Sequence, residues 1–304
     1  DVIGHAVRRG QLDYETSPVP QAQLDDLSEV RIKDFLARRL RSSMPDRSLR
    51  ELLIDMRAAS MADDQKYHPT VAGLLYFGNW PQFYLNHATI LAARLIGPRG
   101  VQINDRATIE GPLSDMIERA IQFVQRNTRQ GLRIGVTSSG KAQEVDEYPA
   151  IAVREAITNA CCHRDFLERS PIQLKIYDDR LVIGNPGGLL PGLDIAHLEG
   201  KHKTRNPLLA DWLQAQGLVE RFGIGIIRMN EAMKQAGLPL PILNNRPDWF
   251  EVTLMGPSDS FLRSDESAAS EQSTGALNKS STNQSKNGAA LWYQQSYTQW
   301  RAAP

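Results

Sequence analysis

The chain has 304 residues, 41% of them hydrophobic and 23% charged, the balance of a globular protein with room for about two domains. Lys+Arg and Asp+Glu both number 35, so net charge argues for neither nucleic acid nor membrane as a partner, although a balanced total leaves local patches open. Apolar runs such as 71–77 are far shorter than the roughly 20 residues that cross a bilayer, and no leader opens the chain, which points to the cytoplasm.

Residues 1–24 hold one basic cluster, at 7–10, and begin at Asp1 rather than Met, so the chain reads as a piece of a longer protein. From 24 to 61 the pattern is helical: Val30, Phe35, Leu36 and Leu40 predict one amphipathic helix and residues 49–56 a second. Residues 69–78 form a buried element of either type, and 88–96 a strand. A variable stretch then leads to a helix near 112–126.

Residues 132–147 read as extended or as a hairpin. A helix over 149–163 opens with Pro149, and acidic residues precede it. It spaces Glu155, Asn159 and His163 four apart; each step drifts only about 40° around the axis, so the three share one stripe. Val153, Ile157 and Ala160 lie roughly opposite, as a buried face. A carboxylate able to act as base and an amide able to hold a hydrated metal, one turn apart, suit a magnesium-nucleotide site. An ordinary amphipathic surface helix is the competing reading.

Downstream, Ile172, Leu174 and Ile176 alternate with polar residues as a half-buried strand, Asp178 and Asp179 turn the chain, and 181–183 return. A glycine-rich loop follows at 185–188, then helices at 207–216 and 224–235, and a last strand carrying Phe250, Val252 and Leu254. The expected class is α+β: an α/β sandwich with helices over a mixed, mostly antiparallel sheet, preceded by a smaller α+β middle domain. Beyond 257 Ser, Asn, Gln, Thr and Ala dominate, as in a disordered tail, although Trp292, Tyr293, Tyr297 and Trp300 are unusual there.

Two tempting motifs are set aside. Residues 135–141 (GVTSSGK) match G-x-x-x-x-G-K, but Ala142 stands where a P-loop needs Ser or Thr for magnesium, and no helix opens at Lys141. They read as a Gly/Ser turn. Cys161, Cys162 and His163 fan around their helix with no further Cys in the chain, so the two thiols read as small buried hydrophobes rather than zinc ligands.

Residues 182–192 (VIGNPGGLLPG) and 221–226 (RFGIGI) are glycine loops that permit positive φ and leave N–H groups free for an anion. Each alone is a common turn; the order polar helix, strand, glycine loop, lid, G-x-G and helix is specific. Residues 155–165, 183–188, 204–210 and 220–226, with 69–78 as a middle region, resemble bacterial transcriptional regulators, often labelled helicase-related, that carry a GHKL-type ATP-binding module behind a Schlafen/Alba-type DNA-binding domain.

The resemblance implies three parts, 1–24 as the remnant of that DNA-binding domain, 25–110 as the middle domain and 111–256 as the GHKL-like ATP-binding domain; composition adds 257–304 as the disordered tail. It implies Glu155 as the carboxylate that orients or deprotonates water and Asn159 as the Mg2+ ligand. Gly187 and Gly188 would lie at the adenine, Gly223 and Gly225 at the phosphates, and Lys201, Lys203 and Arg205 in a lid reaching the phosphates. Asn185 stands where the family places an Asp that accepts from the adenine amino group; its amide oxygen still accepts but carries no charge. His163 reads as a tie between the helix end and a neighbouring backbone. The implied ligands are ATP or ADP with Mg2+, and DNA through the full-length protein. Hydrolysis and homo-oligomerisation stay open, as does a relict pocket serving as a structural or dimerisation module.

Overall fold

The structure, a computed structural model, describes residues 14–40, 46–97, 100–133, 143–199, 203–219 and 223–257. The cluster at 7–10, the motif at 135–141, Lys201 and the polar tail lie outside the described residues. The chain divides into two units, Asp1–Pro257 and Ser258–Pro304.

Helix α1 (Glu29–Leu40) buries Ile32, Phe35 and Leu36. Val30, expected on that face, is 77% exposed, because it stands on the opposite side of the first turn. Helix α2 (Leu49–Asp55) starts at a capping box: the Ser48 hydroxyl accepts from the Glu51 N–H, and the Glu51 carboxylate accepts from the Ser48 N–H. Strands β1 (Ala59–Met61) and β2 (Tyr67–Pro69) pair antiparallel. Residues 69–78 resolve to helix α3 (Val71–Phe77), capped by Thr70 and buried at every position.

Strands β3 (Ile90–Ile96) and β4 (Gln102–Ile109) follow, then helix α4 (Leu113–Asn127) and the strand pair β5 (Gln130–Arg133) and β6 (Gln143–Asp146). Helix α5 (Ala150–His163) leads into strands β7 (Ile172–Ile176) and β8 (Arg180–Pro186). Helices α6 (Pro207–Ala215) and α7 (Gly225–Gln235) precede strands β9 (Ile242–Asn245) and β10 (Trp249–Met255).

The main sheet has the order β4-β3-β7-β8-β10-β9, with β3–β7 parallel and every other pair antiparallel. This is the expected α+β sandwich with a mixed, mostly antiparallel sheet. Alternation sends one set of side chains to the helices. The register aligns Ala92, Leu174, Ile183, Val252 and Leu243 in one row across the sheet, with Asn185 beside Phe250 two residues further along β8 and β10. Helix α4 covers the β3, β4 and β7 end, α5 lies on β8, and α7 packs on α5.

The domains expected at 25–110 and 111–256 share this sheet, because β3 pairs with β7 and β4 extends the edge. The edge strand β4 gave no sequence signal: most of its side chains face solvent, so the period-2 apolar pattern is missing. A second link is aromatic. Phe35, Tyr76, Phe77 and Trp212 pack mostly edge to face, with centroids 4.8–6.1 Å apart, and the Tyr76 hydroxyl donates to the Trp212 carbonyl. Among the described residues no helix is long and apolar enough to cross a membrane.

Candidate functional site

Helix α5 is not an amphipathic surface helix. Only Ala150, Ile151 and Arg154 are exposed, and Glu155 is buried at 7% exposure. A buried carboxylate is costly unless it is paired or used. One partner is Arg228, in the first turn of α7, whose Nη1 lies 3.3 Å from Glu155 Oε1. On the other side, Glu155 Oε2 is 2.8 Å from where a Cβ on Gly225 would stand. Glycine at the start of α7 is what lets that helix approach the carboxylate.

A cleft opens between α5, the β8/β10 end of the sheet and α7. Glu155, Asn159, His163, Asn185, Gly187, Gly188, Lys203, Arg205, Gly223 and Gly225 all line it. Every predicted site residue that the structure describes therefore meets in one cleft. Lys201 lies outside the described residues. The far wall is apolar: Ile183, Leu189, Leu190, Leu193, Phe250 and Val252. Those side chains looked like ordinary strand and loop hydrophobes in the sequence; only the register shows that Phe250 stands beside Asn185.

The first glycine loop is built tightly. Gly187 has φ +92, and its N–H donates to the Asp248 carbonyl at 2.8 Å. A Cβ on Gly188 would sit 2.0 Å from the Arg246 carbonyl oxygen. The close approach that demands glycine at 188 is thus to the β9–β10 turn, while the loop's other side lines the cleft. Asn185 is buried at 4% exposure, and its Nδ2 donates to the Pro186 carbonyl at 3.2 Å. At the second loop Gly223 has φ +65 and Gly225 opens α7.

The expected lid cations differ in what they hold. Arg205 donates Nη1 to Asp165 at 3.2 Å and Nη2 to the Gly188 carbonyl at 2.8 Å, so it ties the 203–206 segment to the first glycine loop. Lys203 Nζ reaches the Pro191 carbonyl at 2.8 Å on the exposed side. Asn206 supplies a tie at the end of α5: its Nδ2 donates to the Cys162 and Arg164 carbonyls at 2.9 and 2.8 Å. Glu15 accepts from the Leu208 and Leu209 N–H groups and so caps α6. Asn206 and Glu15 are caps that spacing alone could not reveal, because they join segments far apart in sequence.

Cys161 and Cys162 are buried free thiols, and burial pushes both up to about 12, as expected of small hydrophobes. Among the described residues no cluster of three His, Cys, Asp or Glu side chains could hold a metal. Asn159 lines the cleft one turn from Glu155, and its side chain carries one amide oxygen. That suits Mg2+, which keeps several waters and is held by one or two protein groups plus phosphate oxygens.

Residues 169–254 match a family model described as "Putative ATP-dependent DNA helicase recG C-terminal". The match is to an ATPase-like, helicase-related domain. It covers β7, β8, both glycine loops, α6, α7 and most of β10, and begins after Glu155 and Asn159. No curated protein matches the chain. Four solved chains do. One is the DIP2311 protein from Corynebacterium diphtheriae, 24% identical with a TM-score of 0.62, covering 82% of this chain and 49% of its own. This chain thus spans about half the length of that structure's chain, and the likeness shows the fold.

Proposed function

We propose that the chain is the Mg·ATP-binding module of a DNA-linked regulator of the GHKL-type, helicase-related kind. The observation that carries this is convergence. A Glu/Asn pair on α5 and two glycine loops lie tens of residues apart in sequence, yet they line one cleft with an apolar wall on the sheet side. The match of 169–254 to an ATPase-like domain supports the same reading.

The apolar wall of Ile183, Leu189, Phe250 and Val252 takes the purine, and Asn185 Oδ1 accepts from its exocyclic amine. Gly223 and Gly225 present the start of α7 to the phosphates. Asn159 contributes an oxygen to Mg2+, which supplies charge neutralisation to the phosphates when bound. Glu155 takes a proton from the attacking water in hydrolysis. Lys203 and Arg205 close the rim, and Lys201 belongs to the same segment. DNA contact belongs to the Schlafen/Alba-type domain of the full-length protein. The protein works in the cytoplasm.

Calorimetric titration with Mg·ATP tests this directly. Saturable heat that falls in Asn159→Ala and Gly223→Val supports it; no binding heat and no thermal shift at millimolar nucleotide overturns it.

Two observations favour a second reading, a relict pocket serving as a structural or dimerisation module. Asn185 replaces the acidic adenine contact, and Gly188 is already required by the Arg246 carbonyl without any ligand. Under it, Glu155→Ala leaves the regulatory phenotype intact while the fold survives.

A further inference from the structure

We propose that Arg228 is a positioning residue for Glu155: from the first turn of α7 it grips the carboxylate and holds it ionised and aimed at the water site. The proposal rests on the reading of Glu155 as general base. Glu155 lines the cleft, and Arg228 reaches its Oε1 from the first turn of α7, the helix whose Gly225, Ile226 and Met229 also line it. Gly225 and Arg228 are three residues apart, on one face of α7. That face offers Glu155 a guanidinium at Oε1, 3.3 Å away, and a side-chain-free backbone at Oε2. One turn of α7 thus meets both oxygens, with a charge at Oε1 and with room left by the bare Gly225 backbone at Oε2.

The chemistry needs such a grip. At 7% exposure, loss of water favours the protonated acid, which accepts no proton. An opposite charge within about 4–6 Å reverses that tendency. In the hydrolytic step the water oxygen bonds to the γ-phosphorus and its proton passes to the Glu155 carboxylate. The bond from γ-phosphorus to the bridging oxygen breaks, and its electron pair leaves with ADP.

Among the described residues, the charged groups on the other elements packed against α5 have other partners or face solvent. On α4, Asp115 pairs with Arg31, Arg126 with Asp105, and Arg119 donates to the Glu110 carbonyl, while Glu118 accepts from Gln122. On α6, Asp211 pairs with Arg39; on β8, Arg180 pairs with Asp179. Glu231 and Lys234 of α7 are exposed. On α5 itself, Arg154 is exposed and His163 stands two turns beyond Glu155. At the cleft rim, Lys203 and Arg205 donate to Pro191, Asp165 and Gly188.

The test compares the full chain with Arg228→Ala, Arg228→Lys and Glu155→Gln. The readouts are Mg·ATP affinity by calorimetry, single-turnover phosphate release from about pH 5 to about pH 9, and the side-chain carboxyl 13C titration of Glu155, assigned by its loss in Glu155→Gln. Arg228→Ala is expected to slow phosphate release about 10–100-fold with affinity within about twofold. It should also raise the Glu155 titration and the acid limb of the rate profile by about one pH unit or more. Arg228→Lys restores part of each, since a point charge remains without the fork. If Arg228→Ala does not fold, Arg228→Lys carries the test, with smaller shifts in the same direction. An unmoved Glu155 titration in a folded variant overturns the proposal whether or not the wild type turns over. Nucleotide binding without turnover, together with a moved titration, overturns the base reading alone and leaves the Arg228 grip standing.

Discussion

Glu155 Oε2 lies 2.8 Å from the position a Cβ on Gly225 would take. The obstacle is the far end of a flexible side chain, so Gly225→Ala displaces the carboxylate rather than the backbone. Alanine is also the better helix former at the start of α7. The expected result is an unchanged or slightly higher melting temperature with phosphate release slowed on the order of 100-fold, since small misplacements of a reacting group are that costly. A thermal melt beside a single-turnover assay checks it.

Gly188→Ala differs in kind. Its Cβ would meet the Arg246 carbonyl oxygen at 2.0 Å, and that atom is backbone. Nothing local can swing aside, so the β9–β10 turn must move. A loss of about 1–3 kcal/mol is expected from overpacking, read from denaturant unfolding. Nucleotide affinity falls with it, because Leu189 and Asn245 are joined across the same turn.

The contrast between these glycines shows what the sequence made legible. That Glu155, Asn159 and the two loops share one cleft was legible from the helix spacing, the chain order and the family resemblance, because helical periodicity and glycine chemistry are local. The strands of the sheet core were legible for the same reason, through the alternation of Ile172, Leu174 and Ile176. The neighbours of those residues were not. Arg246 against Gly188, Arg228 on Glu155 and Phe250 beside Asn185 are long-range pairings set by sheet register and helix docking. The exposed edge strand β4 was missed because solvent leaves its sequence unpatterned.

Arg205 and Lys203 should separate in the same way. Arg205 holds Asp165 and the Gly188 carbonyl and is 25% exposed, so Arg205→Ala costs about 1–2 kcal/mol of stability and weakens nucleotide binding as the loop loosens. Lys203→Ala breaks one surface contact, leaves stability unchanged and weakens binding only through lost phosphate attraction. That weakening fades at high salt, where the charge is screened. Unfolding curves and calorimetry at two salt concentrations distinguish the two.

Burial pushes the Cys161 and Cys162 thiols up to about 12, and both are enclosed. The thiolate is the reactive form. At about pH 8 neither thiol should react with a disulfide reagent in the native protein, and both should react on unfolding. The labelling rate then reports opening of α5 and should slow when Mg·ATP is added, because ligand binding to the folded state suppresses opening.

His87 sets an acid limit on stability. Its Nε2 lies 2.9 Å from the Phe166 carbonyl, so the neutral ring donates there. Burial holds the imidazole below its ordinary value; the Phe166 bond opposes this in part, and Arg164 and Arg169 add to the depression. The unfolded chain titrates at about 6.5. Below that value the unfolded state binds a proton that the folded state does not yet take. Stability is therefore flat above about pH 7 on this account and falls as pH drops from about 6.5 toward the lower folded value, at a slope of at most about 1.4 kcal/mol per pH unit. His68 acts in the opposite sense: the Ala22 carbonyl and Asp64 raise it, so its contribution is complete below about 6.5 and is lost as pH rises through its folded value. The two overlap in the wild type, so the informative measurement is a difference. Subtracting the His87→Gln unfolding free energies from those of the wild type should isolate a term that becomes unfavourable only below about pH 6.5; a flat difference from pH 8 to 5 would show that His87 titrates alike in both states.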